Sequence, residues 1–225
     1  MSDSVSAPRS RPIAWSVLSL LALSTAAYAL IAYSWLAPSQ LVDPAMAAVF
    51  EARYALLMCH ISGAACALLI GPWLWLERLR RRKPALHRWL GRSYLVLGVA
   101  MGGSAGLLLA LTAQGGPTAR LGFFCLGSAW LLSGAIAFAR VRAGDLVDHR
   151  RWMLRNYALS LAAVGLRALM GVSGLLGVEF EQAYPVVAWL CWLPNLVAAE
   201  IYLRTSAARP GQDAELRSLS VARRG

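Results

Sequence analysis

Acidic residues are scarce in this chain: 11 Asp and Glu stand against 22 Lys and Arg, and charged residues make up only 15% of the 225 positions. With so little charge, 58% hydrophobic residues and a mean hydropathy of +0.54, the composition excludes an ordinary water-soluble globule. Metal-binding residue types are equally sparse. There are three histidines and four cysteines, and Cys59, Cys66, Cys125 and Cys191 all fall inside apolar runs without CxxC spacing. A disulfide framework and a thiolate zinc site are therefore both unsupported. No GxSxG, HExxH, phosphate-binding loop or dinucleotide-binding fingerprint occurs, and no polar segment is long enough to fold as a separate catalytic domain.

Long apolar runs are what the chain does have. About six of them, each of the ~20 residues needed to cross ~30 Å of hydrocarbon, predict an all-α polytopic transmembrane bundle. The expected spans lie near 12–36, 48–76, 86–113, 121–139, 152–176 and 183–203. Residues 1–11 read as an N-terminal tail, 12–204 as the membrane domain, and 205–225 as a basic, disordered tail. The first run is too long for a signal-peptide core. The segments around APSQLVDP, QGGPT and VEFEQ read as tight loops.

The basic residues are distributed asymmetrically. Arg9, Arg11, Arg78, Arg80, Arg81, Arg82, Lys83, Arg88, Arg92, Arg140, Arg142, Arg150, Arg151, Arg155, Arg204, Arg209, Arg217, Arg223 and Arg224 fall at one end of the spans. Arg53 and Arg120 fall at the other, with Asp43, Glu51, Glu179 and Glu181, and Arg167 falls within a span. By the positive-inside rule both termini are expected to be cytoplasmic, in a bacterial inner membrane. The +11 charge then calls for anionic headgroups at the cytoplasmic face, not for nucleic acid.

Gly98, Gly102 and Gly106 form a small-residue stripe on the third span, suited to close helix contact either within the chain or with a second copy or partner membrane subunit. A weak repeat pairs WLGRSYL, from Trp89, with WMLRNYAL, from Trp152; Arg92 and Tyr94 match Arg155 and Tyr157. Its first explanation is anchoring, with Trp, Arg and Tyr holding each span at the headgroups. In the sixth span Pro194 and Asn195 predict a kink, and Trp189 and Trp192 read as packing.

Each histidine occupies a place where a polar group needs a reason. His87 and His149 open the third and fifth spans at the basic end, so two imidazoles at one level could ligate one haem b, or a metal ion with Asp145 or Asp148. His60 is expected near the bilayer centre in the second span, and Arg167 at similar depth in the fifth. An arginine there costs at least ~2.5 kcal/mol, and Glu200 lies too near the other end to be its partner. A ligand site is thus expected at His60 and Arg167, with Arg88 and Arg155 at the basic end contributing, and a haem or metal site at His87 and His149.

The segment CHISGAA around His60, HRWLGRSY, Trp130 and DHRRWMLRNYAL with the later Arg167 resemble the bacterial multi-pass membrane family DUF2306, over roughly Val49 to Leu203. The resemblance implies a polytopic inner-membrane protein whose recurrent polar positions are His60, His87, Arg88, His149, Arg150, Arg155 and Arg167. In organisation alone the chain is also similar to di-haem membrane cytochromes of the b561 type, although three histidines allow at most one bis-histidine haem. Three functions are compatible with these residues: a redox protein with one haem between His87 and His149, a binding or transport protein with a His60 and Arg167 site, and a structural or accessory subunit.

Overall fold

The computed structural model describes residues 10–42 and 44–207. Arg9, Asp43 and the tail arginines from Arg209 onward lie outside the described residues. Within them the chain is all helical. Six helices are long and apolar enough to cross a membrane: Ile13–Trp35, Tyr54–Leu74, Pro84–Ala110, Gly116–Arg142, Leu146–Leu175 and Phe180–Ser206, referred to as spans one to six. Two short helices, Pro44–Ala52 and Glu77–Arg82, flank span two.

The connections are made by turn chemistry. Between spans four and five, Gly144 adopts a φ of 78°, which a side chain would strain. Its turn closes with Asp145 N–H donating to the Arg140 carbonyl at 2.9 Å, and the Asp145 carboxylate accepts from the Asp148 N–H at 3.0 Å as the N-cap of span five.

Span two begins later than its apolar run predicts. The backbone breaks at Arg53, where φ is −127° and ψ is 33°, so Pro44–Ala52 forms a separate helix and the span starts at Tyr54. His60 therefore lies about 9 Å inside the helix start at ~1.5 Å per residue, and about 6 Å short of the span's midpoint.

Span two packs against spans one and three, and span four against spans three, five and six. Spans two and three approach closely through the glycine stripe. A Cβ at Gly63 would stand 2.5 Å from Gly102 Cα, and one at Gly98 3.0 Å from the Ala67 side chain. Both contacts lie within this one chain, so span two occupies the stripe's face.

Three of the spans are irregular where they meet. Span three carries a π-helical stretch, Tyr94–Met101. Span five breaks at Leu161, and span six breaks at Cys191 and Trp192, just ahead of Pro194 as the proline predicts. Gly165 faces the second break, because a Cβ there would be 2.6 Å from the Cys191 carbonyl oxygen. Asn195 Nδ2 donates to that same carbonyl at 3.1 Å, satisfying a group the kink exposes.

Spans three, four and five are joined by a closed polar network. Asn156 Nδ2 donates to the Trp130 carbonyl at 2.7 Å and to Ser133 Oγ at 2.8 Å, and its Oδ1 accepts from the Tyr94 hydroxyl at 2.7 Å. Ser160 Oγ lies 2.9 Å from the Tyr94 hydroxyl and accepts from Trp130 Nε1 at 2.9 Å. In hydrocarbon, where apolar burial drives no association, such bonds and small-residue contacts hold helices together. Tyr94 is 0% exposed and Tyr157 3%, so the tyrosines of the repeat are core residues and not interfacial anchors. Trp89, 66% exposed, remains free to meet headgroups.

Candidate functional site

The expected polar residues separate into two groups at different depths. At the basic end, His149 donates its Nδ1 proton to the Ala137 carbonyl at 2.8 Å, which leaves Nε2 as the acceptor. The Nδ1 of His87 is buried and has no partner among the described residues. The rings of His87 and His149 lie within electrostatic range of one another, and Arg80 and Arg88 act on His87 as well. Arg80, between spans two and three, is held below its ordinary range first by burial and then by the neighbouring Arg150 charge.

The carboxylates expected to complete a metal site there are engaged elsewhere. Asp145 and Asp148 face Arg140 at 3.9 and 3.8 Å, and Asp148 faces Arg151 at 3.5 Å. Among the described residues no group of three or more His, Cys, Asp and Glu is placed to hold a metal ion. Arg88 is exposed on the surface. Arg155 is gripped on both sides by Glu200 of span six, through Nε to Oε1 and through Nη2 to Oε2 at 3.1 Å, and lies 4.7 Å from the Trp152 ring centre. Neither Arg88 nor Arg155 reaches the second group.

That second group is His60 and Arg167, which line one half-open cavity of about 720 Å³. Tyr28, Tyr33, Trp130 and Ser160 contribute polar atoms, as do Thr25, Thr112, Gln114 and Tyr184, and the remaining wall is mostly aliphatic and aromatic, with Phe50, Phe123 and Met170 among it. No acidic side chain lines it among the described residues. Arg167 lies about 12 Å inside the end of span five, at ~1.5 Å per residue, so the two cavity residues share a level as their positions predict.

Each is held from behind by backbone. His60 Nδ1 donates to the Gly102 carbonyl at 2.8 Å, and the ring lies flat on span three because residue 106 is glycine; a Cβ there would be 2.8 Å from Nδ1. Arg167 Nη1 donates to the Ala163 carbonyl at 3.0 Å, and the guanidinium carbon lies 5.8 Å from the Tyr28 ring centre. The bond runs to a carbonyl of its own helix. It leaves the positive charge without a carboxylate among the described residues.

Sequence reasoning missed Tyr28, Tyr33, Trp130 and Ser160 as cavity residues. One signal was available for the last of these: Asn156 and Ser160 are polar, one helical turn apart, inside an apolar span. For the tyrosines of span one no local signal exists, because only the packing of span one against its neighbours sets them along the cavity.

The model of the DUF2306 family, described as a predicted membrane protein, matches residues 57–203. The chain belongs to this family. No curated protein and no solved structure matches it.

Proposed function

We propose that this DUF2306 membrane protein holds a small amphipathic molecule in the cavity between its spans, with the head group at Arg167 and His60 and the apolar body against the aliphatic and aromatic wall. One observation carries this reading. Among the described residues, Arg167 has one carbonyl as hydrogen-bond partner, the Tyr28 ring face beside it and Tyr33 within electrostatic range, in a chamber with a mostly apolar wall. A cation at membrane depth without an acid calls for an external acceptor. The volume, about 720 Å³, suits a ligand of drug or lipid-head size. The arginine-rich end is assigned to the cytoplasm of a bacterial inner membrane, with anionic lipid headgroups against it.

The test is extraction. Protein purified in mild detergent is stripped with organic solvent and the extract read by mass spectrometry, wild type beside Arg167→Gln. A species enriched in the wild type and lost in the variant supports the proposal; identical extracts, with both proteins folded, oppose it.

A second reading, one haem b between His87 and His149, draws on the free Nε2 of His149, the unpartnered Nδ1 of His87 and their proximity. Neither histidine lines the cavity. Oxidised and dithionite-reduced absorption spectra decide it: a Soret band lost in His149→Ala supports the haem, and a colourless protein excludes it.

A further inference from the structure

The hydrogen bonding of His60 narrows the head group that the cavity can take, an inference that rests on the cavity being a ligand site. A carbonyl oxygen only accepts, so the short contact with Gly102 places the proton on Nδ1 and the lone pair of a neutral ring on Nε2. A doubly protonated ring would put a second cation beside Arg167 in a chamber that no acidic side chain lines among the described residues. The neutral ring is the form that fits.

Nε2 also has somewhere to point. Among the described residues, the buried side-chain nitrogen and oxygen atoms without partners are His87 Nδ1 and the Tyr157 hydroxyl. His60 Nε2 is not one of them, although no group among the described residues bonds it, so it opens onto free space, and the space His60 lines is the cavity. On Arg167 one nitrogen is bonded to Ala163, and the remaining N–H groups are available. Between them His60 and Arg167 therefore offer one acceptor and one charged set of donors, with the Tyr33 and Tyr28 hydroxyls near the guanidinium.

Head groups differ in how well they answer this pair. A bare carboxylate or phosphate satisfies Arg167 but turns lone pairs toward His60 Nε2. A quinone carbonyl likewise gives Arg167 an acceptor and gives His60 nothing. A hydroxyl donor together with a second oxygen acceptor satisfies both, and a flat ring between them suits a wall containing Tyr28, Tyr33, Phe50 and Phe123. We propose that the cavity selects a quinol-type head on an apolar tail, one hydroxyl donating to His60 Nε2 and the other oxygen accepting from Arg167. Binding alone is proposed, with no change of oxidation state.

Four probes test this on the full-length protein in lipid nanodiscs, kept anaerobic and titrated calorimetrically: a decyl-substituted 1,4-benzoquinol, its quinone, the quinol dimethyl ether and decanoate. The quinol is expected to bind about tenfold or more tighter than each of the others. In His60→Leu that preference should collapse while decanoate binding persists, and in Arg167→Gln all the probes that bind should weaken. The wild-type ranking stands without either variant. Decanoate, quinone or ether binding as tightly as quinol overturns the head-group assignment and leaves the cavity reading intact. No binding of any probe to folded wild type overturns both.

Discussion

Arg155 of span five and Glu200 of span six grip one another through two hydrogen bonds, whereas Arg167, farther along span five, faces no carboxylate among the described residues. One helix thus carries two arginines with opposite circumstances. The first ties spans five and six together toward the basic end; the second keeps its hydrogen-bonding capacity for the cavity.

The paired arginine gives a prediction about stability. Its side chain is 22% exposed and that of Glu200 35%, so solvent screening limits the pair to about 1 kcal/mol. Glu200→Ala should lower the melting temperature in detergent slightly, and the exchange Arg155→Glu with Glu200→Arg should recover most of the loss. An exchange that melts below both single variants would show that neighbours, such as Trp152 beneath Arg155, matter more than the pair.

The unpaired arginine should behave in the opposite way. Removing a cation from an apolar chamber relieves desolvation, so Arg167→Gln is expected to melt at or above the wild-type temperature. Differential scanning fluorimetry with a thiol-reactive dye checks this, and a variant that fails to fold would assign Arg167 to structure.

The approach of spans two and three leaves no room for a methyl group. At Gly63 an added Cβ would stand 2.5 Å from Gly102 Cα, backbone against backbone, with no flexible side chain to yield. Gly63→Ala should cost roughly 1–3 kcal/mol, the usual penalty of overpacking. Gly91→Ala, where nothing lies within 4 Å of the new Cβ, serves as the control in the same thermal melt.

Gly106 supports the imidazole more than the helix pair. The nearest atoms to its added Cβ are Nδ1 and Cε1 of His60, at 2.8 and 2.9 Å. Gly106→Ala should push the ring off span three and weaken its bond to Gly102, cutting quinol affinity several-fold with little change in helicity by circular dichroism. Unchanged affinity would mean that the ring's seating on span three is irrelevant to binding.

Asn156 is the hub of the buried network. Asn156→Leu removes one of the two partners of the Tyr94 hydroxyl and both Nδ2 hydrogen bonds at once, leaving the Trp130 carbonyl with fewer bonds. A loss of about 1–3 kcal/mol is expected, and Tyr94→Phe, which forfeits fewer bonds, should cost less. Equal costs for the two would place the importance of this region in the tyrosine ring's packing.

Much of the architecture is legible in the amino-acid order. Run length fixes the number of spans, because each must supply its own backbone hydrogen bonds across the same hydrocarbon thickness. The shared level of His60 and Arg167 follows from the constant rise of a helix. Pro194 announces its kink by lacking an N–H. The break at Arg53 is not announced, since PAMAAVFEA and the run after it are both apolar and helical, and that break alters the depth of His60.

What the sequence could not decide is which faces meet. Tyr94 stands beside Trp89 in a segment that reads as an interfacial anchor, yet its hydroxyl reaches Asn156 and Ser160 on span five. The glycine stripe fits any close partner, and only the assembled bundle assigns it to Gly63, Ala67 and His60. Hydropathy and helical rise act along one chain direction and so are written locally. The rotation of each span about its axis is set by neighbours distant in sequence, and that rotation turns Tyr28, Tyr33, His60 and Arg167 toward a common chamber.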